Sequence, residues 1–248
     1  MARAATLSRL RWQDATISDV RRESATGTTL RLDVVDWPGH RAGQHVDIRL
    51  TAADGYTAVR PYSLASAAGS SLVEITVDTT PGGEVSPYLT HSARSGHHVQ
   101  VRGPLGNWFV WDVTDPSPVQ LVAGGSGVVP LMSMLRTHRK VGHPAAMRLL
   151  YSVAGPDQLL YRDELGSFEQ LCEVTRIYTR RAPAGSTRPP RRLTPTDLIE
   201  HTLSAATRPV CYVCGPTGFV ETALDRLVLL GHDPDRLRAE RYGERTTR

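Results

Sequence analysis

Two cysteines three residues apart, Cys211 and Cys214, are the first candidates for chemistry, because a C-x-x-C motif can bind a metal or exchange disulfides. The stretch VCYVC that carries them is rich in β-branched and aromatic residues, which predicts a strand over 210–214. Side chains of a strand alternate between its faces, so the two thiols point to opposite sides and cannot bind one metal without a turn. We therefore interpret both cysteines as members of one strand. Cys214 lies at its carboxyl end, where α/β folds place their chemistry.

A glycine-rich motif, VAGGSGVVPLMSM, predicts a strand, a turn and a helix in succession. Gly124, Gly125 and Gly127 let the backbone approach a ligand closely, and the amides that open the helix near 128–131 offer an anion site. The motif is not Walker A, since no Gly-Lys-Ser/Thr follows, and not G-x-G-x-x-G, since Pro130 replaces the third glycine. It indicates a phosphate-bearing ligand. The alternative is a turn that serves only close packing of helix on strand.

Two motifs in the first half also carry groups that bind phosphate. RPYSLAS (60–66) combines Arg60, a fork for phosphate, with Tyr62, a stacking face, and Ser63, a small donor. PGGEVSPYL (81–89) places two glycines and a serine before or at a short helix, which is a second possible anion site. For 60–66 the alternative is an ordinary barrel strand with an exposed arginine. Together with the glycine loop, these elements indicate two phosphate-bearing ligands.

The first half of the chain has the periodicity of β-strands. Apolar and polar side chains alternate, and breaks with glycine and proline separate the runs, which is typical of half-buried antiparallel strands in a barrel or sandwich. The strands are predicted at 29–35, 45–50 and 72–78, with a short helix over 84–91.

From about residue 119, short apolar runs alternate with helical patterns, which predicts a parallel, doubly wound sheet. The strands are predicted at 119–123, 147–153, 172–179 and 210–214, and the helices at 130–140, 161–168, 195–204 and 217–230. The predicted fold class is thus an antiparallel β-barrel domain, 1–114, followed by an α/β doubly wound domain, 119–248. DPSP (115–118) is the predicted linker between them.

The composition is that of a globular protein of 248 residues, with 40% apolar and 22% charged residues. Three cysteines make no disulfide framework and indicate a reducing cytoplasm. No apolar run has the length of a membrane span, and a dispersed net charge of +4 does not indicate nucleic-acid binding. The histidines show no metal-binding spacing. The N-terminal MARAATLSRLRW has arginine and no acid, as transit peptides do, but lacks a clear amphipathic stripe.

Five motifs resemble, in order and spacing, those of the ferredoxin–NADP reductase-like flavoproteins: RPYS, GGEVSPYL, GPLGNWF, GGSGVVPLMSML and CGPTGFVE. The resemblance runs from about residue 12 to 243. It implies an NAD(P)H-dependent flavoprotein reductase with an FAD-binding β-barrel domain and an NAD(P)H-binding α/β domain.

In the barrel, the resemblance implies that Arg60 contacts the FAD pyrophosphate and that Tyr62 lies against the isoalloxazine or ribityl chain. It implies that Ser63 forms a hydrogen bond near flavin N5, as a catalytic residue. The residues that it assigns to cofactor binding here are Arg60, Pro61, Tyr62, Ser63, Val77, Gly82, Gly83, Val85 and Ser86.

In the second domain, the resemblance implies that GGSG faces the pyridine dinucleotide's pyrophosphate and Cys214 the nicotinamide edge. The tail AERYG (239–243) resembles a segment that packs near the flavin in relatives, where Glu240 would handle protons and Tyr242 cover the ring. The alternative is a solvated terminus. The residues assigned to cofactor binding are Gly125, Gly127, Val128, Thr179, Arg180, Cys214, Gly215, Pro216 and Tyr242, and the catalytic ones Cys214 and Glu240.

Coenzyme choice depends on the basic segment 179–193. Thr179-Arg180 resembles the Ser/Thr-Arg pair that binds the 2′-phosphate in NADPH-using relatives, and Arg181, Arg191 and Arg192 could add charge. NADPH is therefore the expected coenzyme, with NADH possible. The alternatives for the segment are docking of an acidic redox protein and simple solvation.

The implied reaction is hydride transfer from the nicotinamide to flavin N5, followed by electron delivery to a separate redox protein, such as a ferredoxin or an oxygenase component. The acceptor is expected to be separate, because three cysteines cannot supply the four thiolates of a 2Fe–2S cluster. Two alternatives are a diaphorase or flavin reductase that acts on small acceptors, and a non-catalytic flavin subunit of a larger complex.

Overall fold

The computed structural model describes residues 11–243, which form two compact units. The first comprises residues 11 to 111 and Met132–Thr137, and the second comprises Asp112–Leu131 and residues 138 to 243. The predicted domain limits at 114 and 119 stay predictions. Most of the N-terminal stretch with the composition of a transit peptide, residues 1–12, lies outside the described residues. Among the described helices, none has the length and apolarity that a membrane crossing requires.

The first unit contains one antiparallel sheet in the order β4-β3-β6-β1-β2-β5. Leu64, just after β4, forms a bridge with Ile75 in β5, so the two ends of the sheet meet and it curls into a barrel. Alternate side chains fill its core, as the period of two predicts. The strands are β1 Gln13–Arg22, β2 Gly27–Val34, β3 His45–Thr51, β4 Thr57–Ser63, β5 Val73–Asp78 and β6 His98–Leu105.

A short helical segment follows β5. Helix α1, Val85–Pro87, continues into one wider π-helical turn, Tyr88–Ser92. The predicted helix over 84–91 is thus present, one residue displaced at each end.

The second unit contains a parallel sheet in the order β11-β10-β7-β8-β9. Its strands are β7 Val119–Gly124, β8 Met147–Val153, β9 Glu173–Tyr178, β10 Val210–Pro216 and β11 Leu237–Tyr242. Helices connect them: α2 Val128–Val141, α3 Arg162–Phe168, α4 Pro195–His201 and α5 Thr217–Leu229. The predicted fold class, a barrel followed by a doubly wound sheet, is confirmed.

The order of the parallel strands creates a switch point. From β7 the chain builds outward to β8 and β9, then returns to the other side of β7 for β10 and β11. In such sheets ligands bind beyond the carboxyl ends of the strands at the point where the winding reverses. Here that point lies between Gly124, which ends β7, and Cys214 near the end of β10.

Strand β11 differs from the sequence-based expectation. The sequence pattern predicts no strand over 239–243, whereas 237–242 pairs in parallel with β10. The six residues LRAERY have three charged side chains and no apolar run. As an edge strand β11 pairs on one side only, so it needs no such run.

Candidate functional site

In the first unit, the strand that bears Arg60 and the glycine turn after β5 lie side by side. The Arg60 guanidinium lies 3.7 Å from a Glu84 carboxylate oxygen, and both side chains are more than half exposed. The Tyr56 hydroxyl donates to the same carboxylate at 3.2 Å. The structure thus brings together two of the three predicted anion-binding elements. An exposed pair of this kind is weak, so a phosphate can replace the carboxylate at Arg60.

The turn over Gly82 and Gly83 is built for close approach to its backbone. Gly82 has φ +74°, which disfavours other residues, and a Cβ on Gly83 would lie 3.1 Å from the Thr80 carbonyl oxygen. The Thr80 amide donates to Ser86 Oγ at 3.0 Å and closes the turn. Val85, next to the nearly buried Ser86, is itself buried. The bare glycine surface fits a pyrophosphate group.

The remaining barrel residues occupy different environments. Tyr62 pairs with Val46 on β3, and burial raises its pKa to about 12, so the phenol is neutral at physiological pH. Ser63 pairs with His45 at the end of β4, directly after Pro61 and Tyr62. Val77 is fully buried in the barrel core, so only its main chain can meet a ligand.

At the switch point, the glycine loop packs too tightly for other residues. Gly125 has φ +56°, and a Cβ on Gly127 would overlap the Cys214 carbonyl oxygen. A Cβ on Gly215 would lie 2.8 Å from the Phe219 ring. Gly127 precedes Val128, the first residue of α2, so the loop amides stand where an anion binds at a helix start.

Both cysteines of the C-x-x-C motif lie in β10, as predicted. Cys214 is buried and pairs with Ala123 on one side and Glu240 on the other. Burial raises the pKa of its thiol well above the usual range, and the nearby Glu240 carboxylate raises it further. Cys211 lies 3.5 Å from His232 Nδ1, and burial raises its pKa to about 12. Both thiols are therefore neutral packing groups rather than nucleophiles.

Strand β11 places Glu240 and Tyr242 beside this loop. Burial raises the pKa of Glu240 to about 7, and its Oε2 is buried with no hydrogen-bond partner among residues 11–243. The Tyr242 hydroxyl donates to the Gly124 carbonyl and accepts from the Gly127 amide at 3.1 Å. Glu240 and the Tyr242 hydroxyl thus lie at the switch point, while the Tyr242 side chain is 36% exposed.

A cavity of about 480 Å³ opens in the second unit at the carboxyl ends of its strands. Its wall includes Gly125, Thr179, Arg180 and Pro216, so four of the predicted cofactor-binding residues surround one space. Phe219 supplies an aromatic wall that the sequence did not single out, although it follows the CGPTG motif directly.

The arginines of the basic segment fall into two groups. Arg180 and Arg192 line the cavity. Arg181 instead pairs with Asp157, and Arg191 Nη1 lies 2.9 Å from Asp197. Neither Arg181 nor Arg191 is among the residues that line the cavity, and the expectation that they add charge there stays a prediction.

Comparison with known proteins agrees with this arrangement. The family described as "Oxidoreductase FAD-binding domain" matches residues 16–110, and the one described as "Oxidoreductase NAD-binding domain" matches residues 121–225. Fold and site therefore define a class, the oxidoreductases that bind FAD and a pyridine dinucleotide. Within this class, the chain belongs to the ferredoxin–NADP reductase-like family.

Two curated relatives and one solved structure illustrate the similarity. Methane monooxygenase component C of Methylosinus trichosporium is 38% identical over 128 residues, which are 52% of this chain and 36% of that protein. The toluate 1,2-dioxygenase electron transfer component of Pseudomonas putida is 26% identical and covers 92% of this chain and 67% of its own. This chain thus spans between about a third and two thirds of these two proteins. The Neisseria gonorrhoeae ferredoxin NADP+ reductase with bound FAD and NADP shares the fold, with a TM-score of 0.77, 18% identity, and coverage of 93% of this chain and 98% of its own.

Proposed function

We propose that this protein is an NAD(P)H-dependent flavoprotein reductase that passes electrons to a separate redox protein. The observation that carries the proposal is the switch point, where the glycine loop, Cys214 and the buried carboxyl of Glu240 lie together in a chain that also has an FAD-type barrel. FAD, when bound, accepts a hydride at N5 and can release electrons one at a time.

The barrel residues would bind and orient the flavin. Arg60 and the turn from Gly82 to Ser86 hold the pyrophosphate, Tyr62 lies against the ring system, and the Ser63 hydroxyl donates near N5. The neutral phenol of Tyr62 supports stacking without a buried charge.

The second unit would orient the coenzyme. The Gly125 amide holds its pyrophosphate, joined by the Gly127 amide once that amide is released from the Tyr242 hydroxyl, and the neutral thiol of Cys214 forms a small wall beside the nicotinamide. Glu240 holds or releases a proton at its carboxyl, because its pKa of about 7 allows both states under physiological conditions.

For the acceptor, we favour a ferredoxin or an oxygenase component. The two curated relatives are named as components of oxygenases, and one of them as the electron transfer component. A diaphorase that reduces small acceptors is the second candidate.

For the location of this protein, we favour a reducing cytoplasm, which its three free, buried cysteines support.

For the coenzyme, we favour NADPH. Arg180 and Arg192 both line the cavity in the second unit, and two guanidinium groups there suit a 2′-phosphate better than a neutral ribose hydroxyl.

Anaerobic titration of the purified protein with NADPH and with NADH, followed by the visible flavin spectrum, tests the proposal. We expect NADPH to bleach the flavin band at lower concentration than NADH. Better bleaching by NADH would overturn the coenzyme assignment and keep the enzyme. A flavin band that neither coenzyme bleaches would overturn the reductase function. Saturable turnover with a ferredoxin would support the protein acceptor. Turnover with ferricyanide and none with a ferredoxin would support the diaphorase.

Replacement of Ser63 by alanine tests the role of its hydroxyl. We expect flavin reduction in stopped flow to slow by about tenfold, the cost of roughly one hydrogen bond to the reacting centre, while coenzyme affinity changes little. Ser71→Ala, at an exposed serine of the same unit, is the matched control. Unchanged reduction kinetics in Ser63→Ala would remove the proposed role.

A further inference from the structure

The basic segment is organised around one buried carboxylate, Asp197, whose side chain is only 3% exposed. Arg188 donates to both of its oxygens, from Nε at 2.9 Å and from Nη2 at 2.8 Å. Arg191 Nη1 donates at 2.9 Å, and the Thr194 amide at 2.8 Å. A buried carboxylate is stable only when it is paired and fully hydrogen-bonded, and this one is.

Through Arg188, this carboxylate fixes the backbone that leads into the cavity wall. Arg188 also donates to the carbonyl of Tyr178, the last residue of β9, at 3.3 Å and to the carbonyl of Arg192 at 3.3 Å. On the other side, Arg226 of α5 donates to the Leu193 carbonyl. The backbone on both sides of the Arg192 side chain is thus held, and that side chain lines the cavity.

Asp197 also determines which arginines of the basic segment are paired with a carboxylate. It engages Arg188 and Arg191, while Asp157 engages Arg181. Arg180 also lines the cavity, and its backbone has a further hydrogen bond outside the Asp197 cluster, because its amide donates to the Ala154 carbonyl at 2.9 Å. Of the five arginines, Arg180 and Arg192 line the cavity, and of these two Arg192 is the one whose own carbonyl accepts a hydrogen bond from Arg188.

We propose that Asp197 is a positioning residue for coenzyme selection, which holds the Arg188 bridge so that Arg192 meets the 2′-phosphate of NADPH. This inference rests on the proposed preference for NADPH. It predicts that Asp197 contributes to recognition of the 2′-phosphate and not to recognition of the rest of the nucleotide.

Binding of adenosine 2′,5′-bisphosphate and of 5′-AMP to the FAD-loaded protein, measured by calorimetry, tests the inference without turnover. In Asp197→Asn the affinity for the bisphosphate should fall about tenfold, as expected for loss of one arginine–phosphate contact, while the affinity for 5′-AMP stays within about twofold. Asp157→Asn is the matched control, because it releases Arg181, which does not line the cavity, and should change neither affinity. In an Arg192→Ala background, Asp197→Asn should cause no further loss.

The outcomes separate the two proposals. If the wild type binds both nucleotides equally, the preference for a 2′-phosphate fails and the role of Asp197 fails with it. If the wild type discriminates and folded Asp197→Asn discriminates equally well, only the role of Asp197 is wrong. Should Asp197→Asn not fold, Arg188→Gln keeps the capping of α4 by Thr194 and removes the bridge to Arg192. That variant must show the same selective loss, and full discrimination in it would overturn the inference.

Discussion

Burial, more than charge, sets the protonation of the single candidate residues within each unit. Tyr62 and Cys214 have pKa values raised so far by burial that both stay neutral over the physiological range. Glu240 differs, because the same effect brings its pKa only to about 7. It is therefore the side chain of the switch point that can change protonation state in working conditions.

The raised pKa of Glu240 makes protein stability depend on pH. Its folded value of about 7 exceeds its ordinary 4.5, so the folded state holds the proton more tightly. The contribution of this proton to the free energy of unfolding is fully present below pH 4.5, and it is lost as the pH rises from there to about 7. Glu240→Gln should therefore change the melting temperature little at pH 5 and raise stability by at most about 3 kcal/mol at pH 8. Thermal melts at both pH values measure this, with exposed Glu84→Gln as control. An equal shift of the Glu240→Gln melting temperature at pH 5 and at pH 8 would contradict the explanation by burial.

Tyr242 competes with any ligand for the Gly127 amide, to which its hydroxyl is hydrogen-bonded. Tyr242→Phe frees that amide while keeping the ring. If the coenzyme pyrophosphate uses the amide, the affinity for NADP+ should rise about fivefold, the value of one net hydrogen bond. Calorimetric titration measures it, and Tyr56→Phe in the barrel is the control. Weaker binding in Tyr242→Phe would mean that the hydroxyl contacts the coenzyme instead.

At the scale of elements, local patterns predicted most strands and helices but not the contacts between distant ones. The loop over Gly125 and Gly127 was identifiable because strand, glycines and helix are contiguous in the chain. The bond from Gly127 to Tyr242 spans 115 residues and leaves no local signal. Likewise, the sequence shows Arg191 as a cation, and only the fold reveals that Asp197 already binds it.

The contact of the glycine loop with β10 should make Gly127 irreplaceable. A Cβ there would overlap the Cys214 carbonyl, so Gly127→Ala must shift backbone against backbone in the centre of the sheet. We expect a loss of about 2 kcal/mol or more in the free energy of unfolding, measured by urea denaturation. In Gly218→Ala no atom beyond the neighbouring residues and the adjacent helix backbone lies within 4 Å of the added Cβ, so that variant should be neutral or slightly stabilised. Equal stability of the two variants would show that the loop can move away from β10.

At the scale of the whole molecule, each unit has its own hydrophobic core and its own set of ligand groups. The barrel core includes Leu30, Ile48 and Ile75, and a core of the second unit includes Val122 and Val213. The order of five motifs along the chain predicted this division and the family. No such motif marks a surface for the proposed electron acceptor, so the choice of acceptor depends on comparison with relatives.

Because the two units have separate cores, removal of FAD should loosen the barrel selectively. A ligand at 100 times its dissociation constant stabilises the fold that binds it by about 2.7 kcal/mol, or roughly 100-fold in the population of open states. Hydrogen exchange of the FAD-free protein should therefore accelerate in β4 and in the segment 82–92, while β7 and β10 keep their protection. Adenosine 2′,5′-bisphosphate should then slow exchange around the glycine loop and 179–193 without restoring β4. Equal loss of protection in both sheets after FAD removal would show that the cofactor stabilises the units as one, and that its site extends beyond the barrel residues assigned to it.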